Sequence, residues 1–483
     1  MTDANISSFL INSPRILTEG EAELIGKAFA FAEKAHAGQK RASGEPYFVH
    51  AYHTGLNLLK IGMDAETVSA GLLHDVPEDT ANTLEEIEKE FGDNIAFLVN
   101  GVTKLGQLKY RGQERETESL RKMFLAMAED IRVVLIKLAD RLHNMQTLQF
   151  LPEEKRRRIA HETLEIYAPI ADRLEMGEIK GELEDLSFQY IYPDEYRKLV
   201  EESQPFYENL TEYLEQIKPK ILLHLAEENL APVSMGSRTK HLWSLYKKAQ
   251  KEGGLGKVYD IAALRLIFHE VEECYKALGV IHTMFKPLPG KIKDYIAVPK
   301  PNGYQSIHTT VITPEERIIE IQIRTMKMHE EAEQGIASHW AYVQQGKPEE
   351  GGVLNQRKFA WVKQLKEWQK NSGGEDFIES LKIDFFKNRI FAFTPKGDVI
   401  DLPEGATPVD FAYAIHSDVG HHCAGAKVSG KMVGLDYCLK NGEVVEIITQ
   451  KNKKPSPGWL DFVKTNEARA KIRAVMKSSR GNS

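Results

Sequence analysis

Near residue 195 the chain changes its apolar period, and that change limits what it can become. From 18 to about 190, stretches such as EAELIGKAFAFAEKAHAG and IRVVLIKLADRLHNMQTL repeat apolar residues every three to four positions with few strand signals, the pattern of helices packed on helices. A long polar helix, roughly 194 to 230, leads into a mixed region. There strand-like runs (AALRLIFH, TTVITP, IIEIQIRT) alternate with helical ones such as ECYKALGVIHTMF and MHEEAEQGIASHWAYV. Residues 317–325, RIIEIQIRT, alternate strictly, so Glu320, Gln322 and Arg324 share one face of a strand while Ile319, Ile321 and Ile323 pack behind it. The fold class expected is multi-domain, all-helical first and α+β after, and 483 residues accommodate about three domains.

A second change falls near 345. QQGKPEEGGVLNQRK reads as a flexible linker. RIFAFTPKGDVIDLP then reads as a hairpin, ATPVDFAYAIH as a helix with Thr407 at its N-cap and Pro408 in its first turn, and AKVSGKMVGLDYCLKNGEVVEIITQ as further short strands. The expected domains are an all-helical one at 1–193, a mixed α/β one with its leading helix at 194–345, a linker and helix at 346–385, a small β unit at 386–450, and the start of a helical domain at 451–483.

Sixty-three basic against 70 acidic residues give a net charge of −7, so any phosphate-binding surface must come from local clustering. Cys274, Cys423 and Cys438 form no CxxC and no zinc-spaced set, which points to a reducing compartment. The N-terminus lacks a signal-like basic and apolar pattern, and no run approaches the roughly 20 apolar residues of a membrane span. A cytoplasmic protein with no membrane partner is expected.

Two regions carry chemistry. In the mixed region, PGKIKDYIAVPKPNGYQSIHTT (289–310) reads as a Pro-Gly-punctuated loop carrying Lys291, Lys293, Asp294, Lys300, Asn302, Tyr304, Gln305 and His308. Ammonium groups suit phosphates, an aromatic face suits a base, and amide and imidazole groups can orient both. A solvated hairpin is the alternative, against which the polar wall of 317–325 weighs. Upstream, Arg238, Lys240, Ser244 and Lys248 fall on a short loop and the helix after it, the last three on one face by their i, i+4 spacing, with Asp260 and Arg265 following in YDIAALR. In the helical region His50, the adjacent His74 and Asp75, and Asp140 supply two imidazoles and two carboxylates, a set suited to Mn²⁺ or a similar divalent ion with positions left for water and phosphate oxygen. Glu78 and Asp79 would stack one turn above His74 and Asp75 on a continuing helix, where they could position or deprotonate the attacking water.

RASGEPYFVH, GLLHDVPEDT and LADRLHNMQTL resemble the HD-domain phosphohydrolases of the Rel/SpoT branch, and the motifs from 235 to 325 resemble the synthetase domain of long Rel/SpoT-type (p)ppGpp synthetase/hydrolases, enzymes of the stringent response. Residues 388–450 are similar to that family's β-grasp TGS domain. The resemblance implies an HD-type hydrolase domain, a nucleotidyltransferase-like synthetase domain and the TGS unit. It implies transfer of pyrophosphate from ATP to the 3′-hydroxyl of GDP or GTP with Mg²⁺, and removal of that group again with Mn²⁺. The guanosine pocket of the hydrolase would comprise Arg41, Ser43, Tyr47, Asn144 and Thr147. In the synthetase Arg238 and Arg265 would clamp adenine, Lys240, Ser244 and Lys248 hold the ATP phosphates, Asp260 and Glu320 hold Mg²⁺, with Glu320 near the 3′-hydroxyl as metal ligand, general base or both, Tyr304 stack on guanine, Gln322 orient the acceptor sugar and His308 a phosphate. The basic Lys291–Lys293–Asp294 loop is similar to that of bifunctional members. His416 would meet the end of deacylated tRNA on a stalled ribosome.

Three departures stand out. Ala42 replaces a frequent basic residue and Thr239 a frequent proline, and Pro77 stands where a continuing helix would set its ring against the Leu73 carbonyl. The family's later zinc-finger-like and ACT modules do not follow, so the chain reads as C-terminally short. Three readings compete: a bifunctional enzyme, a chain with one active half, and a non-catalytic ribosome or tRNA adaptor. The intact metal-ligand sets argue against the last.

Overall fold

The computed structural model describes residues 5–106, 122–123, 126, 129–300, 303–337 and 389–480. They form two compact units, one up to 337 and the other from 389. The linker and helix expected at 346–385, and Asn302, lie outside the described residues.

The first unit begins with packed helices. Thr18 caps the helix Glu19–Ala35 in a capping box with Glu21, and Asp64 caps Ala65–Leu73 by accepting from the Thr67 N–H. The helix Phe48–Lys60 crosses Ala65–Leu73 at glycines: a Cβ on Gly55 would lie 2.8 Å from Leu72, and one on Gly71 would collide with Leu58. This close crossing brings His50 near His74, and the helix Ile131–Gln146 adds Asp140 from the third side. The helix expected to continue through residue 79 instead ends at Leu73, and Val76–Asp79 is a separate single turn with Pro77 in its first two positions. Pro77 thus occupies a place where no N–H is needed, and the expected clash with Leu73 does not arise.

The α/β region has five strands: β1 (Ser234–Thr239), β2 (Ala262–Phe268), β3 (Lys286–Asp294), β4 (Ile307–Ile312) and β5 (Ile318–Thr325). They stand in the order β1-β2-β5-β4-β3, with β2 and β5 parallel and the other pairs antiparallel. Ile319, Ile321 and Ile323 are fully buried, and they share a core with Leu264 and Leu266 and with the helices Pro193–Glu227 and Val271–Met284. The long polar helix therefore has one apolar stripe, Leu214, Ile217, Ile221 and Leu225, all buried in that core. With one sheet face covered, the opposite face carries the polar residues. Pairing aligns Lys293, His308, Gln322 and Arg265 across β3, β4, β5 and β2, and aligns Arg238, Ala263 and Glu320 two residues along.

Two expectations need correction. The stretch 289–310 is not one loop, since β3 reaches Asp294 and β4 starts at Ile307. Arg238 lies on strand β1 rather than a loop, and Lys240 precedes the helix Leu242–Glu252, so only Ser244 and Lys248 share its face. The pairing of β1 with β2 extends the sheet, and this non-local contact is invisible in local spacing.

The second unit pairs β6 (Arg389–Phe393) with β7 (Val399–Pro403) and orders β8 (Cys423–Val428), β9 (Lys431–Val433) and β10 (Val445–Thr449) as β10-β8-β9. A bridge from Phe393 to Val444 joins the two sheets. Thr407 and Pro408 start the helix Pro408–Ile415 as expected, with Asp410 accepting from the Thr407 N–H at 2.8 Å. The buried Asp410 also accepts from the N–H groups of Lys464 and Thr465 at 3.0 and 2.7 Å, and the helix Asn466–Arg480 buries Ala468 and Ile472 against Val409 and Tyr413.

Candidate active sites

In the helical region, donor atoms of His50, His74 and Asp140 lie within 4.8 Å of one another, and all three residues are buried. Asp75 joins them, 3.4 Å from His50 Nε2 and 3.2 Å from His74 Nε2. Burial opposes protonation of His74, but Asp75 outweighs it and lifts the pKa to about 9. Asp140 stays ionised despite burial, because Lys137 lies 2.7 Å from Oδ2 and His50 3.1 Å from Oδ1. His74 Nε2 is buried with no hydrogen-bond partner, although it faces the two carboxylates. Two imidazole nitrogens converging on two carboxylates fit a divalent cation.

Around this cluster the Tyr47 hydroxyl sits between two carboxylates, 2.9 Å from Asp75 Oδ2 and 2.6 Å from Asp79 Oδ2, with one proton to donate to either. Glu78 and Asp79 are therefore held at the rim by the separate turn and by Tyr47, rather than stacked above the ligands on one helix. Partial burial and the neighbouring Asp75 raise the pKa of Glu78. Arg41 lies along helix 131–146, donating to Asn144 Oδ1 at 2.6 Å and to Thr147 Oγ1 at 3.1 Å. Four residues expected in a guanosine pocket, Arg41, Tyr47, Asn144 and Thr147, thus border the metal-ligand cluster. Ser43 instead donates to Glu45 at 3.2 Å.

In the α/β region a cleft of about 320 Å³ collects Arg238, Lys240, Ser244, Asp260, Lys293, Lys300, Tyr304, His308, Glu320 and Gln322. Lys240 and Lys248 both reach Asp260 Oδ2, at 2.9 and 2.7 Å, while the buried Oδ1 has no hydrogen-bond partner. Gln322 donates to Glu320 Oε1 at 2.8 Å, and His308 Nδ1 lies 3.3 Å from the same oxygen. Since a carboxylate only accepts, His308 Nδ1 carries the proton, and Nε2 accepts from the Tyr304 hydroxyl at 2.8 Å. Burial opposes ionisation of Glu320, yet His308, Gln322 and Lys240 hold its pKa at about 2. Burial beside Lys293 brings Lys300 down to about 8, with its ammonium 4.5 Å from the Tyr304 ring centre. The unpartnered Asp260 oxygen and the ionised Glu320 fit a hard divalent cation.

Lys248, Arg265, Lys291 and Asp294 fall outside the lining. Lys248 acts through Asp260. Arg265 is tied to Glu333 at 3.1 Å, a carboxylate it shares with the fully buried Arg324 at 2.8 Å. Lys291 is exposed and lies where the β3–β4 pairing is interrupted between Pro287 and Ile292, so the two-residue alternation that would set it beside Lys293 is broken. Asp294 turns inward to cap its own loop, accepting from the N–H groups of Ile296 and Ala297 at 3.0 and 2.9 Å. The sequence reading missed Tyr295 and, from the helical region, Lys180 and Glu184, which complete the cleft. No local spacing announces them. In the second unit His416 is exposed and caps a short helical turn by accepting from the Asp418 N–H at 3.2 Å.

Three family models match: the HD domain over 28–177, the region found in RelA/SpoT proteins over 237–347, and the TGS domain over 390–449. All three segments are thus similar to those of RelA/SpoT proteins. It is 50% identical over 462 residues to the guanosine-3′,5′-bis(diphosphate) 3′-pyrophosphohydrolase of Aquifex aeolicus, covering 94% of this chain and 65% of that protein. A GTP pyrophosphokinase of Myxococcus xanthus is 48% identical over 465 residues, with coverage of 95% and 61%. The bifunctional (p)ppGpp synthase/hydrolase SpoT of Escherichia coli strain K12 is 46% identical over 465 residues, with coverage of 96% and 66%. The chain thus spans somewhat less than two thirds of the length of these relatives. Both chemical clusters fall inside the matched HD and RelA/SpoT segments. Among the described residues no helix is long and apolar enough to cross a membrane.

Proposed function

We propose that this chain is a bifunctional alarmone enzyme of the cytoplasm, transferring pyrophosphate from ATP to the 3′-hydroxyl of GDP or GTP in the α/β cleft and hydrolysing the same bond at the helical site. The observation that carries the proposal is the coexistence of two polar clusters in one chain, His50, His74, Asp75 and Asp140 in the helical region and Asp260 with the ionised Glu320 lining the α/β cleft. Relatives named for each activity support it.

In the cleft, Asp260 and Glu320 would hold Mg²⁺, which when bound neutralises phosphate oxygens and polarises the phosphorus. The chain itself aligns the reactants. Lys240, Ser244 and Lys293 meet phosphate oxygens, and Tyr304, backed by Lys300 and fixed by His308, offers its ring to guanine. The 3′-hydroxyl attacks the β-phosphorus and AMP leaves. With a pKa of about 2, Glu320 serves better as a metal ligand and hydrogen-bond acceptor for the attacking hydroxyl than as a strong base. Arg265 reaches adenine only by exchanging its contact with Glu333.

At the helical site His50, His74, Asp75 and Asp140 would hold Mn²⁺, which when bound lowers the pKa of a coordinated water. Glu78 and Asp79 stand at the rim to take its proton, and Arg41, Tyr47, Asn144 and Thr147 border the place for the nucleoside. The second unit is a candidate contact for ribosome-bound deacylated tRNA, with His416 exposed for it. Incubation with ATP and GDP or GTP in Mg²⁺, and separately with ppGpp in Mn²⁺, tests the proposal. Formation of (p)ppGpp in the first and release of pyrophosphate in the second are expected; loss of either reaction would leave a single active half, and loss of both would favour the adaptor.

Two further outcomes follow from the cleft. Lys293→Glu should lower kcat/KM for the synthesis by roughly ten- to a hundredfold, about 1 to 3 kcal/mol for a reversed charge beside phosphate, whereas Lys291→Glu should change it by less than about threefold. Steady-state kinetics with GDP and GTP across a Mg²⁺ series distinguishes them. Because Lys300 titrates near 8, its ammonium is lost as pH rises through that value, and kcat/KM for synthesis should fall there. Lys300→Arg should abolish that descending limb, and an unchanged limb would exclude Lys300 as its source.

A further inference from the structure

His143 lies at the centre of the helical site, three residues after Asp140 and therefore on the same face of helix 131–146. Its buried ring stacks on two other imidazoles, 5.1 Å from His50 at 28° and 4.7 Å from His53 at 11° between ring planes. Two atoms approach its Nδ1: His50 Nδ1 at 2.8 Å and Arg41 Nη1 at 3.3 Å. A guanidinium can only donate, so the Nδ1 of His143 presents a lone pair to it. The two facing ring nitrogens need one proton between them, and since His143 Nδ1 accepts from Arg41 it falls to His50 Nδ1 once a cation replaces the proton through which His50 Nε2 meets Asp140 Oδ1. The direction is anchored, because Arg41 is itself held by Asn144 at 2.6 Å and Thr147 at 3.1 Å.

We infer that His143 is a positioning residue that fixes the Nδ1–H tautomer and the ring orientation of His50, reserving the His50 Nε2 lone pair for the divalent cation. Nε2 is the nitrogen on the ligand side, 3.1 Å from Asp140 Oδ1 and 3.4 Å from Asp75 Oδ2. The inference rests on the metal site proposed above and adds to it a residue outside the ligand set. It also links Arg41, a group proposed to meet the nucleoside, to a metal ligand through one imidazole. An imidazole ligand whose far nitrogen is hydrogen-bonded is both better oriented and more basic toward its metal, and losing such a partner weakens metal binding by about ten- to a hundredfold.

The test titrates Mn²⁺ alone into the whole chain without nucleotide, reading free Mn²⁺ by electron paramagnetic resonance. His143→Phe keeps a flat ring but cannot accept, and its Mn²⁺ affinity should fall by about ten- to a hundredfold, with ppGpp hydrolysis partly recovered by excess Mn²⁺. His143→Gln offers an amide oxygen in place of Nδ1 and should stay within about threefold of the parent. Synthesis from ATP and GDP should be unchanged in both, which reports an intact fold. Parent-like Mn²⁺ affinity of His143→Phe, or equal losses in the two variants, would overturn the inference. Should the phenylalanine variant not fold, imidazole ¹⁵N shifts of the parent loaded with Zn²⁺ decide it: a protonated His50 Nδ1 supports the assignment, and a bare one overturns it. Asp140→Asn, titrated alongside, must lose Mn²⁺ binding; if it does not, the metal-site reading fails and this inference with it.

Discussion

Glu320→Gln should stop pyrophosphate transfer, lowering kcat by on the order of 10³ or more, while ppGpp hydrolysis continues at the parent rate. The substitution keeps the shape of the side chain and removes its charge. Glu320 is ionised across the working range, with a pKa of about 2, and sits on the polar face of β5 beside Gln322 and His308. An amide there neither binds Mg²⁺ as a carboxylate does nor accepts as strongly from an attacking hydroxyl. His308 would also lose the anion that fixes its Nδ1–H, so the Tyr304 hydroxyl bond should loosen and the acceptor KM should rise in any residual activity. Measuring kcat and KM for ATP and for GDP separates the two effects. Undiminished (p)ppGpp formation by the variant would remove Glu320 from the reaction.

That prediction was open to the sequence because strict alternation in RIIEIQIRT assigns faces within one strand, and Ile319, Ile321 and Ile323 are indeed fully buried. The His50, His74, Asp75 and Asp140 set was legible in the same way, as ligand types grouped on helices. What local pattern could not supply was everything set by non-local pairing. Arg238 comes into register beside Ala263 and Glu320 only through β1–β2–β5 pairing, and Arg265 is captured by Glu333 from a helix some seventy residues away in sequence. The sequence groups Lys291 with Lys293 on one loop, whereas both lie on β3, Lys291 within an irregularity of its pairing that no local pattern announces. Pro77 misled for the opposite reason: a proline that would break a continuing helix is harmless once the chain has already ended that helix at Leu73. His143 carried a weak signal, its i+3 spacing from Asp140, but its role depends on Arg41, about a hundred residues earlier.

Asp140→Ala should abolish Mn²⁺-dependent hydrolysis and spare synthesis. It should also destabilise the helical region, since Lys137 is paired with Asp140 at 2.7 Å and would be left as a half-buried ammonium without its counter-charge. Asp140→Asn separates the two consequences. Its amide oxygen still accepts from Lys137, so much of the lost stability should return, whereas hydrolysis should remain at least about 10³-fold below the parent because the charged ligand is gone. Thermal unfolding of both variants beside their ppGpp turnover checks this. Wild-type hydrolysis by Asp140→Asn would contradict the ligand assignment.

The central claim, that one chain makes and breaks the same bond at two separate sites, is tested most directly by following a label. The chain is given GDP and ATP carrying ³²P at the γ-phosphorus, first in Mg²⁺ and then with Mn²⁺ after the ATP is exhausted. The label is expected to pass from ATP into ppGpp and then into inorganic pyrophosphate, with Glu320→Gln blocking the first transfer and Asp140→Asn the second. Label appearing directly as inorganic phosphate, failure of Asp140→Asn to form labelled ppGpp, or failure of Glu320→Gln to release pyrophosphate from ppGpp supplied ready-made, would contradict it.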